Sequence, residues 1–199
     1  PLLIVGGGGW DEASCQKLQN FAEINNLPVG CSFRCQDYFD NRHPNYVGHI
    51  GIGLSNSLKD RIQNSDLLVV VGARLGEITT SGYSLLEIPK PKQQLIHVHA
   101  GAEELGSVYQ ADLPINASPR SFVDSISQLK VSGSSQWTAS TKLGNSDYLE
   151  TLVPKAIPGD VQMGQIACWL NETLPEDAII CNGAGNYATW MHRFYQYRK

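Results

Sequence analysis

The sequence predicts an α/β fold, a doubly wound parallel sheet of Rossmann-like type followed by the truncated start of a second α/β unit. Three observations point there. Short apolar runs at Leu2–Val5, Leu67–Val71 and Leu95–His99 have strand length, and the first two show no alternation, as strands buried on both faces do. Segments with helical spacing of apolar residues separate them. Most of the runs end in loops that contain glycine, the usual punctuation of βαβ units.

Taken in order, Leu2–Val5 is the first strand and runs into Gly6, Gly7, Gly8 and Gly9. Ala13, Leu18, Phe21, Ala22 and Ile24 then predict a helix over Asp11–Asn25, with Asp11 as its cap. A strand is expected at Pro28–Phe33. The next stretch, RCQDYFDNRHPNYVGHIGIG, is dense in glycine, asparagine and aromatics and reads as a long loop. Ser57–Asn64 reads as a short helix, Asp66–Gly72 as the clearest strand, and Leu113–Ile115 as a short last strand. Phe122, Val123, Ile126 and Leu129 place a helix over Ser118–Leu129. The first domain is therefore expected to span residues 1–130. Residues 131–154 read as a linker, because 131–147 is polar, serine-rich and without periodicity. In the remaining unit, 155–199, a helix is expected at Val161–Leu174, a strand at Ala178–Cys181, and a glycine-bearing turn, NGAGNYATW, leading into another helix. WMHRFYQYRK at the end of the sequence reads as the middle of a helix, as in a piece of a longer polypeptide.

Bulk composition narrows the function classes. Charged residues make up 17% of 199 and the net charge is −4, so no basic footprint for nucleic acid or an anionic membrane is present. No run approaches the roughly 18 apolar residues of a membrane span, and no signal peptide opens the sequence, so a cytoplasmic location is expected. Five cysteines without a CxxC pair suggest reduced, mostly buried thiols.

Several residues are candidates for chemistry. The glycine run lacks the third glycine of a dinucleotide fingerprint, since Asp11 or Glu12 stands in that place, and no P-loop lysine follows. A turn that needs positive φ is the simpler reading. His97 and His99 would point from one strand face and could chelate a metal, or could bond to neighbouring loops. Arg74 sits at the carboxyl end of a strand, where it could meet an anion or anchor a loop. Asp37, Asp40, Arg42 and His43 crowd the long loop as a possible acid, base and cation set, or as a solvated surface. Asn182–Asn186 combines a glycine-rich turn with a following helix, where main-chain N–H groups suit an anion.

The order IVGGGG, LPVGCSF, HPNYVGHIGIG, SDLLVVVGARLGE and IHVHAGAEELG resembles the central domain of thiamin-diphosphate-dependent enzymes of the acetolactate synthase and pyruvate oxidase type. LPEDAIICNGAGNYATW looks like the start of that family's diphosphate-binding domain. The resemblance implies a longer enzyme that acts on a 2-keto acid with thiamin diphosphate and Mg²⁺, assembled as a homodimer or homotetramer, of which this stretch is scaffold and partial cofactor site, inactive alone. Gly185, Asn186 and Tyr187 fall where similar enzymes carry a Gly-Gln-His segment against the diphosphate, and Trp190 matches their tryptophan. The Mg²⁺-binding Gly-Asp-Gly segment and the activating glutamate would lie outside these residues, so neither a catalytic nor a metal-binding residue is expected within them. Some members hold FAD or an adenine nucleotide on this domain; here His99 and Gly101 replace two aspartates, which favours a domain without flavin. The rival expectation is a stand-alone nucleotide-binding or oligomerisation module.

Overall fold

A computed structural model describes residues 1–198. Six strands form one all-parallel sheet in the order β3-β2-β1-β4-β5-β6: β1 Leu2–Val5, β2 Val29–Ser32, β3 Tyr46–Ile50, β4 Leu67–Val71, β5 Gln94–His99 and β6 Leu113–Asn116. This is the doubly wound sheet expected from the apolar runs. Helices α1 (Glu12–Ile24), α2 (Asn56–Asn64), α3 (Pro119–Ile126), α4 (Thr138–Thr151), α5 (Met163–Thr173) and α6 (Ala188–Phe194) complete the described structure.

Alternating strand residues feed two cores. Leu2, Ile4, Leu68, Val70 and Leu95 pack with Leu58 and Ile62 of α2 on one face. Leu3, Val5, Val71 and Val98 pack with Leu18, Phe21 and Ala22 of α1 and Val123 of α3 on the other. Asp11 caps α1 as expected: its carboxylate accepts the Ser14 N–H at 2.8 Å, and Ser14 Oγ accepts the Asp11 N–H at 2.9 Å. Ile24, expected on the apolar stripe, is exposed at the end of α1.

Several local expectations are corrected. The stretch read as one long loop contains β3, whose Tyr46, Val47 and Ile50 are buried although Gly48 and His49 interrupt the apolar pattern. Residues 131–147, read as aperiodic linker, contain a 3₁₀ turn at Ser134–Trp137 and most of α4. That helix buries Thr141, Gly144 and Tyr148 rather than an aliphatic stripe, so no period of apolar residues announced it. It covers the edge strand: the Tyr148 ring meets Tyr46 edge-on at 4.8 Å, and Asn145 donates to the Tyr46 carbonyl at 2.8 Å. Asn25 anchors the connection to it, donating to the Leu129 carbonyl and accepting the Val131 N–H, while Trp137 donates to the Asn25 carbonyl at 2.7 Å.

Ala178–Cys181, expected as a strand, has no regular secondary structure and pairs with no strand among the described residues. The final segment is not helical throughout: α6 stops at Phe194, Tyr195 turns to extended backbone, and residues 195–198 have no regular secondary structure. Asn41, in the loop after β2, holds that extension by donating its N–H to the Tyr197 carbonyl at 2.8 Å and accepting the Tyr197 N–H at 3.0 Å. The five cysteines are unpaired, but only Cys31 and Cys35 are buried, and Cys181 is exposed. Among the described residues no helix is long and apolar enough to cross a membrane.

Candidate functional site

The sheet reverses its strand order between β1 and β4, and the loops leaving those two strands meet there. Gly7 and Gly72 have φ of +69° and +73°, and a Cβ on Gly7 would overlap the Gly72 carbonyl. Gly7 thus sits at a close backbone crossing with Gly72 that no side chain could share. Its carbonyls are already engaged: Trp10 Nε1 donates to Gly6 at 2.9 Å and Tyr38 Oη donates to Gly7 at 2.7 Å.

Arg74 forms an ion pair with Glu104 at 2.9 Å, which anchors one loop to another. His97 and His99 do share a strand face, with ring centroids 6.1 Å apart. His97 Nε2 lies 3.0 Å from the Ala73 carbonyl, and His99 Nδ1 accepts the Gly101 N–H at 3.1 Å. No cluster of three metal-ligating side chains is present among the described residues. Asp40 accepts the Arg42 backbone N–H at 2.9 Å, whereas His43 faces Glu23 at 3.9 Å. The four loop residues therefore do not converge on one centre, and burial pushes the Asp37 carboxyl up without a partner acid or base in the set.

The turn before α6 remains the strongest anion candidate. Gly183, Gly185, Asn186 and Tyr187 are exposed. The carbonyls of Gly185, Asn186 and Tyr187 accept the N–H groups of Ala188, Thr189 and Trp190 at 3.0, 3.1 and 3.1 Å. As at any helix start, the N–H groups of those same three residues have no acceptor inside the helix. The turn is braced from below, because the Gly183 N–H donates to Tyr187 Oη at 3.0 Å and Arg34 Nη2 donates to the Gly183 carbonyl at 3.3 Å. A Cβ on Gly185 would overlap the Tyr187 ring, so that glycine lets the aromatic fold back over the turn. Trp190 stacks on Phe194 at 5.8 Å and belongs to the packing of α6. The N–H groups of this turn, the Asn186 amide and the Arg34 guanidinium bonded to Gly183 are neutral and cationic donors, which fit an anionic phosphate tail in kind.

Sequence reasoning missed one feature of this region. Gln36, Asn182 and His192 come together below the turn, each with a buried side-chain nitrogen that finds no partner among the described residues. Asn182 stood in the quoted motif, but Gln36 and His192 are 156 positions apart (192 − 36) and only the packing of α6 against the β2 loop joins them.

Comparison with known proteins agrees with this architecture. A family model described as thiamine pyrophosphate enzyme, central domain, matches residues 1–126. The acetolactate synthase large subunit of Corynebacterium glutamicum is 26% identical over 100% of this chain and 32% of its own length. The acetolactate synthase large subunit IlvB1 of Mycobacterium tuberculosis is 25% identical over 100% of the chain and 33% of its own. A 3D-(3,5/4)-trihydroxycyclohexane-1,2-dione hydrolase of Clostridium perfringens is 24% identical over 98% of the chain and 34% of its own. The chain thus spans about a third of the length of the curated relatives it matches. With the model match covering most of the chain and the parallel sheet in place, the chain belongs to the thiamine pyrophosphate enzyme family and carries its central domain.

Proposed function

We propose that the chain works within a thiamin-diphosphate-dependent enzyme of the acetolactate synthase type, which decarboxylates a 2-keto acid and joins the remaining acyl unit to a second carbonyl compound. The observation that carries this reading is that the acetolactate synthase relatives match the whole chain, through the glycine turn and into α6, and not the central domain alone. Residues 1–130 would be the central domain, and 155–199 would open the diphosphate-binding domain, with 131–154 connecting them largely through α4; Lys199 lies outside the described residues.

Bound thiamin diphosphate supplies an electron sink for carbanion chemistry beside a carbonyl. The part played by this chain is to bind and orient. The N–H groups of Gly185, Asn186 and Tyr187, with the Asn186 amide, would hold the diphosphate, and the Arg34 bridge to Gly183 would fix the turn. Mg²⁺ belongs to the same reading, held by residues outside this chain. So do homo-oligomeric assembly, a cytoplasmic location and inactivity of these residues alone. The sheet domain would act as scaffold without flavin: His99 and Gly101 bond to one another and Arg74 is held by Glu104, which leaves these positions engaged within the domain.

Product analysis of the full-length protein with pyruvate and a panel of 2-keto acids tests this. Loss of 2-keto acid and formation of a carbon–carbon coupled product, both dependent on added thiamin diphosphate and Mg²⁺, are expected. Turnover of none of them under those conditions would remove the activity, and tight binding of FAD or ADP would remove the scaffold role.

A further inference from the structure

Where α6 meets the sheet domain, two histidines and two arginines come together. His192 of α6 stands edge-on to Phe33 at 5.2 Å, and its ring centroid lies 6.2 Å from that of His49 in β3. Both histidines are buried. Arg34, in the loop after β2, lies over the Phe33 ring at 5.3 Å and donates to the Gly183 carbonyl at 3.3 Å. Arg193, next to His192 in α6, donates its Nε–H to the Thr151 carbonyl at the end of α4 at 3.1 Å. Both guanidinium groups thus meet carbonyls. The histidine with a carboxylate partner among the described residues is His43, elsewhere in the fold. Asp37 lines the space beside His192 and Arg34, but burial raises its carboxyl towards the neutral form.

Two neutral imidazoles suit this place, and an imidazolium does not. Burial, with the Arg34 charge, holds the pKa of His192 below the usual histidine value; burial, with His192 and Arg193, does the same to His49. His192 Nδ1 is buried without a hydrogen-bond partner among the described residues, so a proton added there finds no acceptor. Tyr148 of α4, beside His49, and Tyr197, beside His192, are phenols whose pKa burial raises, so neither supplies a negative charge. The attachment of the residues after α6 is of another kind. Asn41 exchanges backbone and side-chain hydrogen bonds with Tyr197, and Gln196 Nε2 donates to the Asn41 carbonyl at 3.3 Å, all between neutral groups.

We propose that this contact is an acid-released latch: a proton taken up by His192 or His49 drives α6 away from β3 and the β2 loop, while Asn41 keeps the residues after α6 attached. Release carries His192 into water, away from Arg34, and takes Arg193 off His49. The open form then binds the proton more tightly than the closed one, and acid shifts the population towards it. The glycine turn runs directly into α6 and is tied to the sheet domain through Arg34, so opening loosens that turn as well. The latch is a property of the two histidines and requires no ligand, so it stands or falls apart from the diphosphate reading.

Amide hydrogen exchange of the full-length protein, read by mass spectrometry and corrected for the intrinsic rate at each pH, tests the proposal. Protection of residues 188–194 should fall between pH 7.5 and pH 5.5, by up to about tenfold for each histidine that regains an ordinary pKa of about 6.5 on opening. Low urea should leave that exchange unchanged, as for a local opening, whereas exchange in β4 should follow the urea dependence of global unfolding. His192→Asn should lose most of the fall. Should that variant not fold, His192→Phe, which keeps a ring against Phe33, takes its place with the same expectation. Equal protection at the two pH values, an undiminished fall in the folded variant, or a fall that shares the urea dependence of β4 would overturn the proposal. The last of these results would show acid unfolding of the whole protein in place of a latch.

Discussion

In the sheet domain Leu2, Val5, Leu68 and Leu95 are fully buried, and strands β1, β2 and β3 are buried along their whole length. The segment after α4 is arranged differently: Ile179 is 88% exposed, Trp169 59%, and the run Ala178–Cys181 has no partner strand among the described residues. Strands β1 to β5 of the first region put most of their apolar residues into its core, and its loops are tied by side chains such as Trp10, Tyr38 and Glu104. The second keeps apolar surface and main-chain donors open, held to the first by Asn41, Gln196 and Arg34. On the function proposed above, the contrast gives stability to one region and ligand contact to the other.

The contrast is most sharply broken or kept by paired truncations. Leu68→Ala should cost about 2–5 kcal/mol in urea unfolding, the loss for a fully buried leucine, whereas Ile179→Ala should stay within about 0.5 kcal/mol. Comparable losses at both positions would show that Ile179 is covered and the second region is built like the first.

A titration comes next in size. Burial pulls the pKa of His49, in β3, down to about 4 from 6.5, with its Nε2 3.1 Å from the Ile52 carbonyl. Between those two values the unfolded chain takes up a proton that the folded one does not, so stability falls as pH falls from 6.5 towards 4, by up to about 3 kcal/mol. His43, His97 and His192 are shifted in the same direction, so the pH slope lost in His49→Gln isolates its share. An unchanged slope in that variant would place His49 in solvent.

The smallest expected effect separates two adjacent glycines. Gly7→Ala meets both a left-handed φ and the Gly72 carbonyl, and should cost about 1–3 kcal/mol of stability, whereas Gly8, with open space around its Cβ position, should accept alanine nearly unchanged. Equal tolerance of both by thermal unfolding would mean that the crossing between the two loops is loose.

The residues that were legible in sequence are those whose environment is local or strongly apolar. Leu2–Val5, Leu67–Val71 and the Asp11 cap needed nothing beyond their own neighbours to be read. Tyr46–Ile50 was hidden because its strand character comes from pairing with β2 and from the cover of Tyr148, about 100 positions away. Helix α4 was hidden because it buries a threonine, a glycine and a tyrosine while Leu143 and Leu149 face out. Conversely, the β-prone run Ala178–Cys181 finds no partner strand in the described residues, and propensity alone does not make a strand. Of the candidate site, the Gly185–Tyr187 turn was visible as a motif; the convergence of Gln36 and His192 beneath it depends on packing between segments that the sequence keeps apart.

Calorimetric titration of the full-length protein with thiamin diphosphate and Mg²⁺, comparing wild type with Asn186→Leu, tests the assignment of ligand contact to the open region most directly. The exposed turn should lose affinity by about tenfold when its amide is removed, with the melting temperature unchanged. Identical affinity in the two proteins would contradict it and would move the diphosphate away from this turn.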